Sequence, residues 1–295
     1  MKTVLITGAA GRVGCLLRRE LAGRYRLRLS DVRVVDDLVK GERFAKANLA
    51  RPSDAMRIAR GVDAIVHLGG YSVEGPWPAI LEANIVGSYH LFEAARRVGV
   101  TRVVFASSHH VVGFHPRDEV VDHRADVRPD SRYAASKVFG EALGRLYVDK
   151  YGLEVFCVRI GNVHPFPLDE RRLSIWSSPR DLAQLVSIGI DHPGVKFEIV
   201  YGVSDNRRSW YDNSNATRLG YRPQDDAEVQ AAEVLARAPA GGRNGKTGGK
   251  GNPKDGGNRK REGMAIEERY QGGPFTVAET IANPAAAATR RRRPR

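Results

Sequence analysis

The stretch "TVLITGAAGRVGCLLRRELAG" (3–23) decides the fold. "TVLITG" (3–8) is a short apolar run of the kind that forms a buried strand, and "RVGCLLRRELAG" (12–23) has helical spacing and stops at Gly23. Gly8, Gly11 and Gly14 lie directly between and just inside these elements. Glycines there let the turn close tightly, let the backbone approach a pyrophosphate and let the helix pack closely on the strand. The free N–H groups and positive dipole end of the helix then face the phosphates. The stretch predicts a strand, a phosphate-binding turn and a helix, and hence a dinucleotide site.

The same alternation runs outward to about residue 160. "YRLRLSD" (25–31) reads as a second strand, and "SDAMRIARG" (53–61) as a helix with Ser53 as its N-cap. "VDAIVHLGG" (62–70) reads as a strand and "PAILEANIVGSYHLFEAARRVG" (78–99) as one long amphipathic helix. The strand "TRVVFASS" (101–108), the helix "SRYAASKVFGEALGRLYVDKYG" (131–152) and the strand "LEVFCVRIG" (153–161) follow. Apolar strands alternating with helices predict a parallel sheet covered on both faces: α/β, a doubly wound sheet of the Rossmann type. After Gly161 the rhythm loosens. A helix capped by Ser178 with Pro179 at its first position and a strand in "VKFEIVYGVS" (195–204) belong to a small substrate cap. The expected organisation is a cofactor core over 1–160, a cap over 161–235 completing the same domain, a flexible linker over 236–263, and a returning segment with a basic tail over 264–295.

The net charge of +13 is uneven. Residues 236–295 hold 14 Lys/Arg against 5 Asp/Glu, a net of +9, so the body is only mildly basic. "GGRNGKTGGKGNPKDGGNRKR" (241–261) has too few apolar residues to offset its ordering entropy, and a disordered tail is expected there. "MAIEERYQGGPFTVAETI" (264–281) regains apolar character and can dock on the body. The final "RRRRPR" favours a solvated tail over nucleic-acid contact, because no aromatics are interleaved for base stacking. No apolar stretch approaches the roughly 20 residues of a membrane span, and the N-terminus carries no signal-peptide pattern. Cys15 and Cys157 lie in apolar segments, which fits reduced thiols and a cytoplasmic location. A homo-oligomer without membrane attachment is expected.

In doubly wound folds ligands bind outside the carboxyl ends of the strands, so the glycine turn, "HLGG" (67–70), "ASSHH" (106–110) and "RIGNVHP" (159–165) should converge. Asp31, after the second strand, suits the adenosine ribose hydroxyls and repels a 2′-phosphate, which favours NAD over NADP, with Arg33 softening that preference. Tyr133 and Lys137 are four apart on one helix face. A free tyrosine, with a pKa near about 10, is a poor base at neutral pH. A neighbouring ammonium and a positive nicotinamide ring favour its ionised form. The histidines 109, 110, 115 and 123 match no closed metal site, and neither serine of "SSHH" lies in a G-x-S-x-G turn, so a metal centre and a hydrolase triad are both set aside.

Over about residues 1–230 the sequence resembles the extended short-chain dehydrogenase/reductases, also called NAD-dependent epimerase/dehydratases. "TGAAGRVG", Asp31, "NIVG" from Asn84, Ser108, "YAASK" and "RIGNVHP" carry the resemblance. It implies that Ser108 polarises the reacting C–O bond, Tyr133 moves its proton and Lys137 binds the nicotinamide ribose. It also implies cofactor contacts from Gly8, Ala10, Gly11, Arg12, Val13, Gly14, Asp31, Asn48, Leu49, Leu68, Gly69, Gly70, Asn84, Tyr133, Lys137, Ile160 and Asn162. At Asn48 the family usually has an aspartate. More narrowly, "VHLGGYSVEGPW", "VFASSHHVVG" and "RRLSIW" are similar to uronate dehydrogenases, as is "YQGGPF" (270–275) beyond the linker, while "EIVYGVSDN" and "LGYRPQD" are similar to haloarchaeal-type NAD-dependent glucose-6-phosphate dehydrogenases. Both groups oxidise C1 of an aldose whose C6 end is anionic. The resemblance implies sugar contacts from Ser72, Ser108, His109, His110, Tyr133, Asn162 and Arg171. His109 stands where the uronate group has asparagine, and Asn162 where it has serine. A guanidinium such as Arg171 can give a bidentate fork to a carboxylate. The expected activity is NAD-dependent oxidation of a hexuronate. The alternatives are hexose 6-phosphate oxidation, nucleotide-sugar epimerisation, and a dinucleotide-binding regulator.

Overall fold

Strand β1 (Thr3–Thr7) puts Val4 and Ile6 on one face of the sheet and Leu5 on the other, all fully buried. A strand buried on both sides needs helices on both sides. The computed structural model, which describes residues 1–237 and 264–279, has that architecture. The linker expected over 236–263, past Arg237, and the basic end 280–295 lie outside the described residues.

Helix α1 (Arg12–Glu20) follows β1, then β2 (Arg26–Ser30), β3 (Glu42–Phe44), α2 (Pro52–Ala59) and β4 (Ala64–His67). Helices α3 (Trp77–Ile80) and α4 (Gly87–Val98) lead to β5 (Arg102–Ser108), α5 (Arg132–Tyr151) and β6 (Glu154–Ile160). The remainder gives β7 (Asn162–Val163), α6 (Arg172–Ile175), β8 (Trp176–Ser177), α7 (Pro179–Asp191), β9 (Phe197–Gly202), α8 (Ser214–Arg218) and α9 (Ala231–Ala236). The main sheet has seven strands in the order β3-β2-β1-β4-β5-β6-β9, every pair parallel. One core layer joins Val4, Ile6, Leu17 and Leu29 to Leu182, Leu185 and Val186 of α7. The opposite layer joins Leu5, Ile65 and Phe105 to Ile58, Leu91, Phe92 and Leu143 of α2, α4 and α5. The order reverses at β1/β4, which opens a crevice at their carboxyl ends.

Three local readings are corrected. The α2 helix starts at Pro52 with Arg51 at the N-cap and no side-chain cap, so Ser53 falls inside the first turn. Proline's fixed φ pre-forms a helix start, and it overrides the serine. The helix expected as continuous over 78–99 is interrupted by a π-helical turn over Leu81–Val86. The edge strand β3 escaped the periodicity because three residues, "ERF", give no alternation to read.

Segments after Gly161 complete the sheet. Strand β9 pairs with β6 from Val155↔Phe197 to Ile160↔Gly202, and α7 is capped by Ser178, whose side chain accepts from the Asp181 N–H. The returning segment docks: Tyr270 bridges Pro116, Arg117 N–H donates to Arg269 O (3.0 Å), and Gln271 N–H donates to His115 O (3.0 Å).

Candidate active site

At the cofactor end, β1 stops at Thr7 and the chain turns at Gly8 with φ +69°. A Cβ at Gly8 would lie 2.8 Å from Gly69 N, and one at Gly14 would lie 2.5 Å from Gly8 O. Only glycine lets this turn, the Gly69 strand end and α1 come so close. Gly11 caps α1 without a side-chain bond, so the first N–H groups of the helix stay open toward the crevice. Asp31, one residue past β2, accepts from Ala10 N (3.0 Å) and Arg33 N (2.9 Å), and therefore stands beside the glycine turn. Beneath it runs a buried polar chain in which Thr7 Oγ1 meets His67 Nδ1 (2.8 Å) and His67 Nε2 meets Ser88 Oγ (3.2 Å). Burial, with the Lys137 charge adding to it, pushes His67 down to about 3, so it is a neutral core residue.

The other cofactor candidates surround this turn. Asn48 turns its side chain onto Ala50 N (3.0 Å), and Leu49 packs beneath Gly69. Leu68, Gly69 and Gly70 follow β4. The π-helical turn aims Asn84 at a loop: its Oδ1 accepts from Tyr71 N (2.6 Å) and its Nδ2 donates to Tyr71 O and Ser136 Oγ. Ile160 lies beside Ser108 in the β5–β6 register. The Oδ1 of Asn162 is buried without a partner among the described residues. The glycine cradle, the open α1 terminus, Asp31 and this orphaned oxygen fit a bound dinucleotide.

The chemical end gathers on β5 and α5. Ser108 is the last residue of β5, and its Oγ accepts from His110 N (3.2 Å). Helix α5 begins under a double cap. Ser131 accepts from Ala134 N (3.1 Å) and Glu74 accepts from Tyr133 N (2.9 Å) while pairing with Arg132. Tyr133 and Lys137 are both buried, with Lys137 Nζ 5.7 Å from the Tyr133 ring centroid. Burial raises Tyr133 to about 12, with the Ser108 hydroxyl opposing the rise and the Asp130 charge adding to it. In the chain without its cofactor, desolvation therefore sets the direction for Tyr133, and burial brings Lys137 itself down to about 8.

The side where the sequence places the sugar contacts is built around two imidazoles. His110 Nδ1 and Asp130 Oδ2 are 2.6 Å apart, and burial pushes Asp130 up to about 7. His109 Nδ1 meets Tyr211 Oη at 3.1 Å. The two histidine rings lie 4.1 Å apart, and burial holds both well below the usual histidine range. Ser107 points away from the reacting side and donates to Glu141 (2.6 Å), which forms a buried bidentate pair with Arg159. Ser72 is exposed on the loop before Glu74. Arg171 donates through Nε and Nη2 to the Gln271 carbonyl (3.0 and 2.7 Å) and through Nη2 to the Gly272 carbonyl (3.0 Å). Desolvation lowers its guanidinium to about 10. Three of the five guanidinium N–H groups are therefore engaged by the chain itself, which corrects the expected bidentate fork: only Nη1 is left for a carboxylate.

Sequence reading missed Glu74, Asp130 and Phe275. Glu74 and Asp130 look like ordinary loop acids, and only the fold brings one to the α5 terminus and the other to His110. Phe275 stacks on His110 at 3.8 Å and 26°. Its signal was the "YQGGPF" motif, which does not say what the ring touches.

A family model described as the NAD dependent epimerase/dehydratase family matches residues 4–166. The uronate dehydrogenase of Pseudomonas syringae pv. tomato is 45% identical over 236 residues, 79% of this chain and 86% of that protein. The NAD-dependent glucose-6-phosphate dehydrogenase of Haloferax volcanii is 36% identical over 250 residues, 76% of this chain and 94% of that protein. A crystal structure of a mutant uronate dehydrogenase from Agrobacterium tumefaciens complexed with NAD superposes with a TM-score of 0.83 at 38% identity, covering 94% of this chain and 98% of that one. With the glycine cradle and the Ser108, Tyr133 and Lys137 cluster already in place, these likenesses identify the chain as a member of the NAD dependent epimerase/dehydratase family, with NAD as its cofactor.

Proposed function

We propose that the protein oxidises C1 of a hexuronate to the aldarolactone. The observation that carries this reading is that His110, bonded through its N–H to Ser108 and edge-on to the Tyr133 ring, lies within reach of the Arg171 charge. That arrangement joins a cation for a carboxylate to groups that handle a hydroxyl proton. The uronate dehydrogenase relatives, 41–45% identical, support the choice of sugar.

In this reading the glycine turn takes the pyrophosphate, Asp31 the adenosine ribose and Lys137 the nicotinamide ribose. When bound, NAD supplies the hydride acceptor and a positive ring that favours an ionised Tyr133 beside it. Tyr133 Oη removes the proton of the C1 hydroxyl, and Ser108 Oγ hydrogen-bonds the same oxygen. His110, its Nδ1 held by Asp130, offers Nε2 to a sugar hydroxyl. Arg171 takes the C6 carboxylate through the N–H groups that Gln271 and Gly272 leave free, and Ser72, His109 and Asn162 complete the contacts. Residues 1–160 hold the cofactor and carry Ser108, Tyr133 and Lys137, and residues 161–235 complete the same domain and add Asn162 and Arg171 to the sugar contacts. A homo-oligomer in the cytoplasm completes the proposal. The free thiols Cys15 and Cys157 support that compartment, and among the described residues no helix is long and apolar enough to cross a membrane.

The test is NADH formation with galacturonate, glucuronate and glucose 6-phosphate in parallel. Turnover with a uronate and little with the phosphate is expected. The reverse preference would move the assignment to hexose 6-phosphate oxidation, which the Haloferax volcanii relative supports. No turnover with any of the three would remove both.

A further inference from the structure

We propose that the stretch Tyr270–Phe275 is a positioning element of the sugar site, which sets the direction of Arg171 and His110. The proposal rests on the sugar reading above for what these two residues bind, but not for how they are held.

Three observations converge on it. The carbonyls of Gln271 and Gly272 hold Nε and Nη2 of Arg171, which fixes the plane of the guanidinium. Gly273 turns with φ +61°, and a Cβ there would lie 2.6 Å from Arg171 Nε, so any larger residue would push the guanidinium aside. Phe275 covers one face of the His110 imidazole, and His109 lies against its other side at 4.1 Å. His110 is then clamped between two rings while Asp130 holds its Nδ1. Gly272 packs against the same Asp130 carboxylate, where a Cβ would overlap Oδ2. One short stretch thus touches the cation, the imidazole and the acid that orients the imidazole.

The stretch is itself firmly held. Gln271 is fully buried and donates through Nε2 to the carbonyls of Pro116 and Glu119 (both 3.0 Å). Gly272 N–H donates to Gly113 O (2.8 Å), and Arg117 donates to Tyr270 O (3.1 Å) and Glu267 O (2.6 Å). None of these contacts touches the glycine turn or Asp31. The element should therefore tune sugar binding and leave the cofactor end unchanged.

The test compares Phe275→Ala, Phe275→Tyr and Gly273→Ala in the full-length chain. For Phe275→Ala and Gly273→Ala, KM for the sugar acid should rise about 10- to 100-fold, with a smaller fall in kcat. The Kd for NAD should stay within about twofold, and Phe275→Tyr should restore KM, because a phenol stacks as well as a phenyl ring. Nitrogen NMR of His110, assigned with a His110→Gln control, reads the same positioning without any sugar. Its ring resonances should shift in Phe275→Ala and return in Phe275→Tyr. An unchanged sugar KM together with unmoved His110 resonances would overturn the proposal, as would an equal loss of NAD binding. If the wild-type protein oxidises none of the sugars, the sugar reading fails, and the positioning inference stands or falls on the His110 resonances alone.

Discussion

The two ends of the active crevice are built in opposite ways. At the cofactor end, β1, the glycine turn and α1 are contiguous in sequence, and the bonds that shape them are short-range or neutral, such as Gly11 N to Gly8 O and the Thr7, His67 and Ser88 chain. At the proposed sugar end the groups come from residues 72–74, 108–110, 130–137, 171, 211 and 271–275. These include desolvated ionisable groups: Asp130 paired with His110, and the Arg171 guanidinium held by two backbone carbonyls. A contiguous motif can dock a common cofactor with little help from the rest of the chain. A site assembled from distant segments can change its substrate through any one of them, so specificity should reside where His110, with His109 beside it, meets the returning stretch.

The largest test of this contrast is Tyr133→Phe. It removes the proposed proton acceptor, and turnover should fall by roughly a thousandfold, while NAD titration by fluorescence should give an unchanged Kd. Weakened NAD binding would show that the two ends are not separable.

A smaller effect concerns the neutral chain under the cofactor end. His67 has its folded pKa depressed from the usual histidine range to about 3. The unfolded chain therefore takes up a proton that the folded chain refuses. The stability held by the neutral ring is fully present above about pH 6.5 and is lost as pH falls from there toward 3. At pH 5 the loss should be about 2 kcal/mol. Thermal midpoints measured from pH 7.5 to 5 should fall for the wild type and fall less steeply in His67→Asn, where the buried His109 and His110 still give a slope. Parallel slopes for the two proteins would place the acid sensitivity elsewhere.

The smallest effect is expected for Asp31→Ala. Losing one carboxylate at the adenosine ribose should raise KM for NAD about tenfold, roughly 1.4 kcal/mol, and lower the preference for NAD over NADP. The KM for the sugar should not move. Steady-state kinetics with both cofactors checks this, and an unchanged cofactor ratio would remove Asp31 from that role.

These contrasts also explain what could be read before the fold was known. The glycine turn, the strands ending at Thr7, His67, Ser108 and Ile160, and the Tyr133/Lys137 pair follow from local period and spacing, because each is contained in one element. Glu74 and Asp130 could not be assigned that way. Glu74 is 59 residues from the Tyr133 N–H it caps, and Asp130 is 20 residues from the imidazole it holds. The raised pKa of Tyr133 in the chain without its cofactor could not be read for the same reason. Spacing shows that Lys137 is near, but not that both groups are desolvated.

The amino-acid sequence by itself determined the parallel α/β sheet, the dinucleotide turn and the Ser108, Tyr133 and Lys137 cluster. Periodic apolar faces and glycine spacing are properties of contiguous residues. Only the tertiary structure decided that Arg171 is held by the carbonyls of Gln271 and Gly272, that His110 lies between Phe275 and His109, and that Asp130 faces its Nδ1. Those contacts join residues up to 165 positions apart, such as His110 and Phe275. Their energies depend on desolvation, which no local pattern encodes.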